Sequence, residues 1–319
     1  MDVSIVLINY KTPKLTCDCI KSIKEKSAGF SYEIIVIDNK SDDDSIKEIN
    51  ALGFDNVYVI ENEDNEGTAR AFNKGAKLAK GKYVFWLNTD TLLLNNAIFE
   101  LFTFMESHPE CGIAGGNLYK DNGEPNFSFR KPLFDPKAAI KELSLFGQLR
   151  LGNAKYFNNH FFNNSDTPII ASHISGADLF IRQDVFREVG YFDDRIFMYA
   201  EETEFEYRVQ SKTNYKSYNV PTSKIMHLEG GSFTGDTTFN EFRFFHNILG
   251  FTKLYYFHFG KEMALKYLKA YKKSLNFRLF ICKMLRKKNA ISNNIARRDM
   301  IVSYINNFDK FINSFKYMD

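Results

Sequence analysis

The sequence lacks a hydrophobic run long enough to span a membrane. A spanning helix needs roughly 18 to 20 mostly apolar residues, and the most aromatic stretch, residues 242–259, is interrupted by Arg, Lys and His. The chain opens with an acidic residue and a short apolar segment, which is not typical of a secretory signal peptide. These features favour a soluble protein or one that binds a membrane only at its surface.

Cysteine is scarce, with 4 residues in 319, and its spacing matches no disulfide or zinc framework. Cys17 and Cys19 resemble half of a metal site, but no second Cys or His pair completes it. We therefore expect reduced cysteines. Two nucleotide-binding motifs are also missing, the Gly-x-Gly-x-x-Gly turn after the first strand and the Gly-Lys-Ser/Thr loop. Their absence disfavours nicotinamide or flavin enzymes and the common NTPases.

Charge is distributed unevenly along the chain. Residues 241–319 carry 16 Lys and Arg against 5 Asp and Glu, whereas residues 1–240 carry 26 against 34. Aromatic residues are abundant, with 32 Phe and 17 Tyr, and many of them lie in the basic C-terminal region. An acidic body with a basic, aromatic tail suggests that the two parts have different partners.

The first part of the chain alternates apolar strands with amphipathic helices. Strands are predicted over residues 3–9, 33–37, 57–60 and 83–87, and helices over 15–26, 42–52 and 68–79, the last closed by Gly81. This alternation predicts a doubly wound α/β fold, with a parallel sheet covered on both faces. Polar residues follow these strands, and ligands of such sheets bind beyond the carboxyl ends.

The second part is less regular. Helices are predicted over residues 97–106, 201–210 and 263–283, and strands over 112–118, 172–181, 217–220 and 223–226. Residues 131–168 are rich in Asn and Phe and favour no particular structure. A mixed sheet is therefore expected.

Eight segments in order resemble motifs of the family 2 glycosyltransferases, over roughly residues 1–250. They are SIVLINY at 4–10, IVIDN at 35–39, NEG at 65–67 with NKG at 73–75, LNTDT at 87–91, SGA at 175–177, VGYFD at 189–193, FMYAEETE at 197–204 and HLEGGS at 227–232. The rhamnosyltransferase-like branch is the most similar.

The resemblance implies a GT-A fold, a nucleoside-diphosphate sugar donor, a divalent Mn²⁺ or Mg²⁺ ion and inversion at the anomeric carbon. It implies a catalytic domain over residues 1–240, with a nucleotide-sugar-binding half (1–118) and an acceptor half (119–240). Residues 241–319 form a helical C-terminal region. The expected donor is dTDP-rhamnose or a UDP-hexose. The expected acceptor is a hydroxyl of a glycan or of a lipid-linked acceptor in cell-surface polysaccharide synthesis.

The diphosphate leaving group needs a metal held by carboxylates. Asp90, directly after a predicted strand, is the expected ligand. In many relatives this motif is Asp-x-Asp, but here Asn88 takes the first position and offers only a neutral oxygen. His227 is the expected second ligand. The alternative for residues 88–90 is a capping turn before the next helix.

Inversion in one displacement needs a general base on the acceptor hydroxyl. The resemblance assigns this role to Glu202, where the family usually has Asp, and leaves Glu201 as the second candidate. The alternative is that these acidic residues only stabilise a helix N-terminus. Glu204 and Arg208 have i, i+4 spacing and are expected to form a structural pair.

Asp38 matches the family position that binds the N3–H of the pyrimidine, for which a carboxylate is a suitable acceptor. Its alternative role is an Asx turn with Asn39. Arg70 is a candidate for a phosphate contact, or is simply a solvated residue of its helix. The predicted nucleotide-sugar-binding set is Asn9, Asp38, Asn39, Gly67, Arg70, Asn88 and Ser232.

The basic C-terminal region admits three interpretations: binding to an anionic membrane, binding to nucleic acid, or packing against the body with solvated lysines. We expect the first, at the cytoplasmic face of the cell membrane, and no nucleic-acid partner. Two rival functions are a GT-A-like nucleotidyltransferase, which would normally carry the missing Gly-rich loop, and a non-catalytic binding protein.

Overall fold

The computed structural model describes residues 1–130, 135–143, 161–228 and 240–316. The chain divides into two compact units. The first comprises Met1–Leu133, Phe157–Asp193 and Glu202–Thr234, and the second Phe134–Tyr156, Asp194–Glu201 and Gly235–Asp319. The second unit thus contains all of the predicted C-terminal region together with two short segments from the predicted catalytic domain.

The strands all belong to the first unit. They are β1 Val3–Asn9, β2 Tyr32–Asp38, β3 Val57–Glu61, β4 Tyr83–Leu87, β5 Thr91–Leu93, β6 Cys111–Tyr119, β7 Phe129–Arg130, β8 Ile169–Ala171, β9 His173–Ile174, β10 Asp178–Arg182 and β11 Lys216–His227. The helices are α1 Pro13–Lys26, α2 Ser45–Asn50, α3 Gly67–Leu78, α4 Ala97–Ser107, α5 Pro136–Glu142, α6 Gln183–Val189, α7 Glu201–Lys212, α8 Glu241–Met284, α9 Lys288–Asn306 and α10 Phe308–Asn313.

The described part of the first unit contains a nine-stranded mixed sheet. Its order is β3-β2-β1-β4-β10-β6-β11-β5, with β8 paired to β11. The strands β3, β2, β1 and β4 are parallel, as the alternation of strands and helices predicted. Strand β10 runs antiparallel to both β4 and β6, while β11 is parallel to β6. The predicted doubly wound mixed α/β sheet is confirmed.

Helices cover both faces of this sheet. Alternate residues of β1 divide between two cores, with Val3, Ile5 and Leu7 in one and Val6 in the other. The first core also contains residues of α1, α2 and α4, and the second contains residues of α3, α6 and α7. Because β1 is buried on both sides, it is apolar along most of its length rather than alternating.

Three details of the fold differ from the sequence-based expectation. Helix α3 ends at Leu78 with an extended cap, so Gly81 does not close it. Gly81 is needed instead because an added β-carbon would lie 2.5 Å from the Ser4 nitrogen. The predicted strand 172–181 is two strands separated by a turn, and the two short strands expected after residue 216 form the single irregular strand β11.

The second unit is helical in its described part. Its core combines residues from α8, α9 and α10, including Phe245, Tyr267, Leu268, Ile301 and Phe311. Helix α8 is interrupted at Gly260, whose φ of 80° lies in the region that favours glycine. Many of the aromatic residues of the basic region are therefore interior residues of their own unit. No helix among the described residues is long and apolar enough to cross a membrane.

Candidate active site

The sheet topology brings the predicted site residues of the first unit to one edge. The parallel strands β2, β1 and β4 end at Asp38, Asn9 and Leu87, and β11, which shares their direction, ends at His227. Strand β10 runs the opposite way and therefore begins at this edge, with Asp178 opposite Leu87. Residues from distant parts of the sequence meet here because parallel strands end on the same side of a sheet.

Asn9 and Asp38 are joined by a buried hydrogen-bond network. The Nδ2 amide of Asn9 donates to Asp38 Oδ1 at 2.6 Å, and the Ser41 hydroxyl donates to the same oxygen at 2.6 Å. The Ser41 backbone N–H donates to Asp38 Oδ2 at 2.9 Å. Asp38 is only 1% exposed. This network sets the shape of the loop after β2, and direct recognition of a pyrimidine by Asp38 stays a prediction.

Asn39 ties the end of β2 to the start of α3. Its side-chain oxygen accepts from the Asn62 amide at 2.9 Å and from the backbone N–H of Glu66 at 3.1 Å. Its own amide donates to Asn65 Oδ1 at 2.9 Å. Gly67 begins α3 with a φ of 79°, a conformation in which a side chain would be strained. Both residues therefore shape the backbone at this edge.

Asp90 and His227 lie side by side. Nε2 of His227 is 3.3 Å from Oδ1 of Asp90, and both side chains are largely buried. The backbone holds them together, because His227 is the register partner of Thr91 and the Leu228 N–H donates to the Asp90 carbonyl at 2.9 Å. Asn88 is half-buried, and its backbone N–H donates to the Ala177 carbonyl at 3.0 Å.

The Asp90–His227 pair fits a divalent metal ion that takes only some of its ligands from the protein. A carboxylate oxygen and a neutral imidazole nitrogen are both metal donors, and Mg²⁺ commonly takes its remaining ligands from waters and substrate phosphates. Within the described residues, no group of three or more His, Cys, Asp or Glu side chains converges on a metal position. The pair therefore suits an ion shared with a phosphate-bearing substrate better than a closed structural site.

Glu202, on the first turn of α7, packs against Gly176. A β-carbon added to Gly176 would lie 3.3 Å from Cγ of Glu202, so the side chain rests on the turn between β9 and β10. The Thr203 hydroxyl donates to Glu202 Oε1 at 3.0 Å. Ala177, the next residue of the turn, is the residue that binds the Asn88 N–H. Glu202 thus belongs to the same edge as Asn88 and Asp90.

Glu201 differs from its neighbour in environment. It is 4% exposed and belongs to the second unit, whereas Glu202 is half-buried in the first. Glu204 pairs with Arg208 as the spacing predicted, at 2.8 Å. Arg208 also donates to the carbonyl of Tyr191 at 2.7 Å, which anchors the loop after α6. That pair is structural.

Two of the predicted nucleotide-sugar contacts, Arg70 and Ser232, stay predictions. Arg70 is exposed on the first turn of α3. Ser232 lies outside the described residues, as do its neighbours Gly230 and Gly231. The phosphate contacts assigned to them stay predictions.

Comparison with known proteins identifies the family. The model of glycosyl transferase family 2 matches residues 4–190, which is more than half of the chain and includes β1, β2 and β4, three of the strands that end at the candidate site. The chain belongs to glycosyl transferase family 2. The family resemblance inferred from the motifs is therefore confirmed.

The relatives of this family 2 member include three transferases of known name. It is 26% identical over 213 residues to the low-salt glycan biosynthesis hexosyltransferase Agl10 of Haloferax volcanii, covering 66% of this chain and 62% of the relative. It is 32% identical over 127 residues to the poly(ribitol-phosphate) β-glucosyltransferase of Bacillus spizizenii, covering 39% of this chain and 20% of the relative. It is also 32% identical over 108 residues to the Escherichia coli UDP-Glc:α-D-GlcNAc-diphosphoundecaprenol β-1,3-glucosyltransferase WfaP, covering 33% and 41%.

The chain thus spans between about one fifth and three fifths of the length of these relatives. Their names are those of hexosyl- and glucosyltransferases, and the rhamnosyltransferase-like branch stays a prediction.

Two solved structures share the fold. Residues 1–349 of TarS from S. aureus superpose with a TM-score of 0.52 at 14% identity, covering 97% of this chain and 92% of that one. GalNAc-T7 with UDP, GalNAc and Mn²⁺ superposes with a TM-score of 0.56 at 17% identity, covering 80% and 47%. The family 2 member has the GT-A fold that its motifs implied.

Sequence reasoning missed several buried polar residues of this edge. Ser41 completes the Asn9–Asp38 network, and its spacing of three residues from Asp38 is the available signal, because it suits a side-chain-to-backbone turn. Glu206 lies one helical turn after Glu202 and is buried beside His173. The i, i+4 spacing of two acidic residues could have identified it.

Proposed function

We propose that this chain is an inverting glycosyltransferase that uses a pyrimidine nucleoside-diphosphate sugar and a hydroxyl acceptor on a glycan or lipid-linked oligosaccharide in cell-surface polysaccharide synthesis. The supporting observation is the joint placement of Asp90, His227 and Glu202 at the carboxyl edge of the sheet in a family 2 member. Nucleotide-sugar binding is assigned to residues 1–118 and acceptor binding to residues 119–240.

Asp90 and His227 are the residues that would hold the metal. Bound there, Mn²⁺ or Mg²⁺ would supply positive charge to the leaving nucleoside diphosphate. The solved relative GalNAc-T7 was crystallised with Mn²⁺ and UDP, which is consistent with this assignment. Asn88 holds the loop in place through its bond to Ala177.

Glu202 is the proposed general base. It takes the proton of the acceptor hydroxyl while the acceptor oxygen forms a bond to the anomeric carbon. The bond between that carbon and the diphosphate oxygen breaks, and the nucleoside diphosphate leaves. Because attack and departure occur on opposite faces, the anomeric configuration inverts. Glu202 is better suited than Glu201 because it is half-buried rather than fully buried.

The Asn9–Asp38–Ser41 network supports the donor assignment. It fixes the backbone at the ends of β1 and β2, where we propose that the pyrimidine base binds, with Asp38 as the acceptor for its N3–H. The names of the relatives favour a UDP-hexose, and the motif resemblance favours dTDP-rhamnose.

A donor panel tests the proposal. The protein is incubated with UDP-glucose, UDP-GlcNAc and dTDP-rhamnose, with Mn²⁺ or with EDTA, and the released nucleoside diphosphate and the melting temperature are both measured. One donor should release its nucleoside diphosphate only with Mn²⁺, and at a hundred times its Kd it should stabilise the fold by about 2.7 kcal/mol. Release of pyrophosphate instead would indicate nucleotidyl transfer, and neither binding nor release by any donor would favour a binding protein.

Variants of Glu202 test the base. Glu202→Gln should bind donor normally but transfer roughly a hundredfold to ten-thousandfold more slowly, the usual contribution of a general base. Glu202→Asp should retain more activity, because it restores the family's usual carboxylate with a shorter reach. Glu188→Gln, an exposed residue of α6, is the matched control. A Gln variant that transfers at the normal rate would move the base to another residue, with Glu201→Gln the next variant to measure.

We further propose that the second unit binds an anionic membrane through the basic tip, residues 278–289, at the end of α8 and the start of α9. Residues 263–298 contain 11 Lys and Arg and no Asp or Glu. Phe280, Met284 and Leu285 are 58%, 65% and 59% exposed, the highest values among the large hydrophobic residues described. Lys283 and residues 286–288 are exposed around them.

Exposed apolar side chains surrounded by positive charge suit the headgroup layer of an anionic bilayer. This binding would place the enzyme at the inner face of the cell membrane. Flotation with phosphatidylglycerol vesicles should fall when Phe280 and Met284 are changed to Ser, and should weaken with salt because charge is screened. Lys26→Glu, in the first unit, is the control for net charge. Equal flotation of all variants, or association of the protein with itself at the tip instead, would reject membrane docking.

A further inference from the structure

Glu206 is a buried acidic residue with an unusual set of partners. It is 1% exposed, and its two carboxylate oxygens lie 3.0 and 2.9 Å from the backbone N–H of Ile174, which donates to them. Nδ1 of His173 lies 3.0 Å from Glu206 Oε1. A buried carboxylate is costly unless it is paired and hydrogen-bonded, and these partners meet that need.

This arrangement fastens α7 to the strand before the Gly176 turn. His173 and Ile174 make up β9, and the turn that follows it carries Gly176, on which Glu202 rests. Glu202 and Glu206 are one turn apart on α7, a spacing that brings their side chains to the same face of the helix. Glu206 therefore sets the distance between the proposed base and the turn against which it packs.

The charges of His173, Glu206 and Glu202 influence one another. Burial lowers the pKa of His173 and Arg130 opposes its protonation, but the charges of Glu206 and Glu202 outweigh both, so the pKa of the ring is raised above its usual value. Burial raises the pKa of Glu206, and the charge of Glu202 adds to this, while His173 and the Ile174 N–H oppose it. The ring centroids of His173 and Phe127 lie 5.9 Å apart. His173 thus keeps its proton to a higher pH than an exposed histidine does.

We propose that His173 and Glu206 are positioning residues for Glu202, and that the protonated ring of His173 neutralises Glu206 so that Glu202 alone carries the reactive negative charge. This inference rests on the proposed function, because it takes Glu202 as the base. When His173 loses its proton, the two carboxylates, one turn apart on α7, lose the positive charge that lies 3.0 Å from Glu206. Repulsion between the two carboxylates then displaces Glu202, and transfer slows.

The pH profile of transfer is the first test. The wild-type kcat should fall at alkaline pH. In His173→Gln this alkaline decrease should be absent. The kcat of that variant should be about tenfold lower at neutral pH, and its KM for the donor should be unchanged. Glu206→Gln should also lack the alkaline decrease, because it removes the carboxylate that repels Glu202 once His173 has lost its proton. His108→Gln, a partly exposed histidine at the opposite edge of the sheet, is the control and should keep the wild-type profile. A His173→Gln variant that melts lower but keeps the kcat and pH profile would overturn the inference and leave only a structural clamp.

A second readout does not depend on activity. The NMR titration of the His173 ring, assigned by its loss in His173→Gln, should show a pKa above the usual value for histidine and a lower pKa in both Glu206→Gln and Glu202→Gln. An unchanged His173 titration in Glu202→Gln would show that the two sites are uncoupled and would overturn the inference. If that coupling is present but Glu202→Gln transfers at the normal rate, the proposed function of Glu202 fails instead. The two failures are thus distinguishable.

Discussion

Nε2 of His227 lies 3.3 Å from Oδ1 of Asp90, although one residue follows β4 and the other ends β11. The short strand β5 explains this proximity, because it follows Asp90 directly and pairs antiparallel with β11, with Thr91 opposite His227. The turn that carries Asp90 is thereby held between two strands of the sheet, β4 and β5, with His227 beside it.

Removal of the Asp90 charge should abolish metal-dependent transfer. Asp90→Asn keeps the shape of the side chain, so the fold should persist while turnover with Mn²⁺ falls on the order of a thousandfold, or about 4 kcal/mol of transition-state stabilisation. Asp55→Asn, an exposed residue just before β3 at the opposite edge, is the matched control. Steady-state rates over a range of Mn²⁺ concentrations measure the effect, and near-normal activity in Asp90→Asn would contradict the metal assignment.

A methyl group at Gly176 should impair Glu202 specifically. The added β-carbon would lie 3.3 Å from Glu202 Cγ, which is close enough to displace that side chain by a few tenths of an ångström. We expect Gly176→Ala to lower kcat about tenfold to a hundredfold, since small misplacements of catalytic groups are costly. In the Glu202→Gln background the same change should have little further effect. Additive losses in the double variant would show that Gly176 acts on something other than Glu202.

Asp178 should make the stability of the protein depend on pH. Its side chain is fully buried, Oδ2 accepts from the Gly116 N–H at 2.6 Å, and Oδ1 has no hydrogen-bond partner among the described residues. Burial raises the pKa of this carboxyl well above its usual range. The folded state therefore holds a proton that the unfolded chain releases at lower pH, so the free energy of unfolding falls as pH rises above the unfolded pKa.

The side chain in Asp178→Asn cannot ionise, so this variant should not show the decrease in the free energy of unfolding with rising pH. Unfolding by urea should show similar stability of variant and wild type at pH 4.5, and an advantage for the variant that grows toward pH 8.5. Asp55→Asn should show no such trend, because that residue is exposed. A constant difference between Asp178→Asn and wild type across this range would mean that Asp178 is already ionised in the folded protein.

Lys253 should be important for the stability of the second unit. It is 3% exposed, and its ammonium donates to the carbonyl of Arg195 and to that of Ser314 at 2.7 Å. Lys253→Met keeps the length of the side chain but leaves two carbonyls without this donor, which should cost about 2 to 5 kcal/mol. Lys269→Met, an exposed change on the same helix, should cost almost nothing. Thermal unfolding of both variants measures this difference in stability, and equal melting temperatures would contradict the prediction.

The local sequence pattern was sufficient for the first half of the fold. Strand β1 was predicted with its observed bounds, Val3–Asn9, and β4 likewise at Tyr83–Leu87, because a buried parallel strand is a continuous apolar run that ends in a polar turn. The motifs likewise determined the family, and with it Asp90 and Glu202 as candidates. The spacing of Glu204 and Arg208 predicted their pair, because residues four apart on a helix are neighbours wherever that helix packs.

Other features were decided only by the tertiary structure. The motif resemblance predicted that Asp90 and His227 share a metal, but the sequence contains no signal that places Glu202 on Gly176 or His173 beside Glu206. Each of these two contacts joins elements that are far apart in the chain. The basic region shows the same limit. Its composition does not distinguish Tyr267, in the core of the second unit, from Phe280, which is exposed, because both are aromatic residues on one helix. Which side of a helix becomes interior depends on the partner that packs against it, and that partner is determined by the fold.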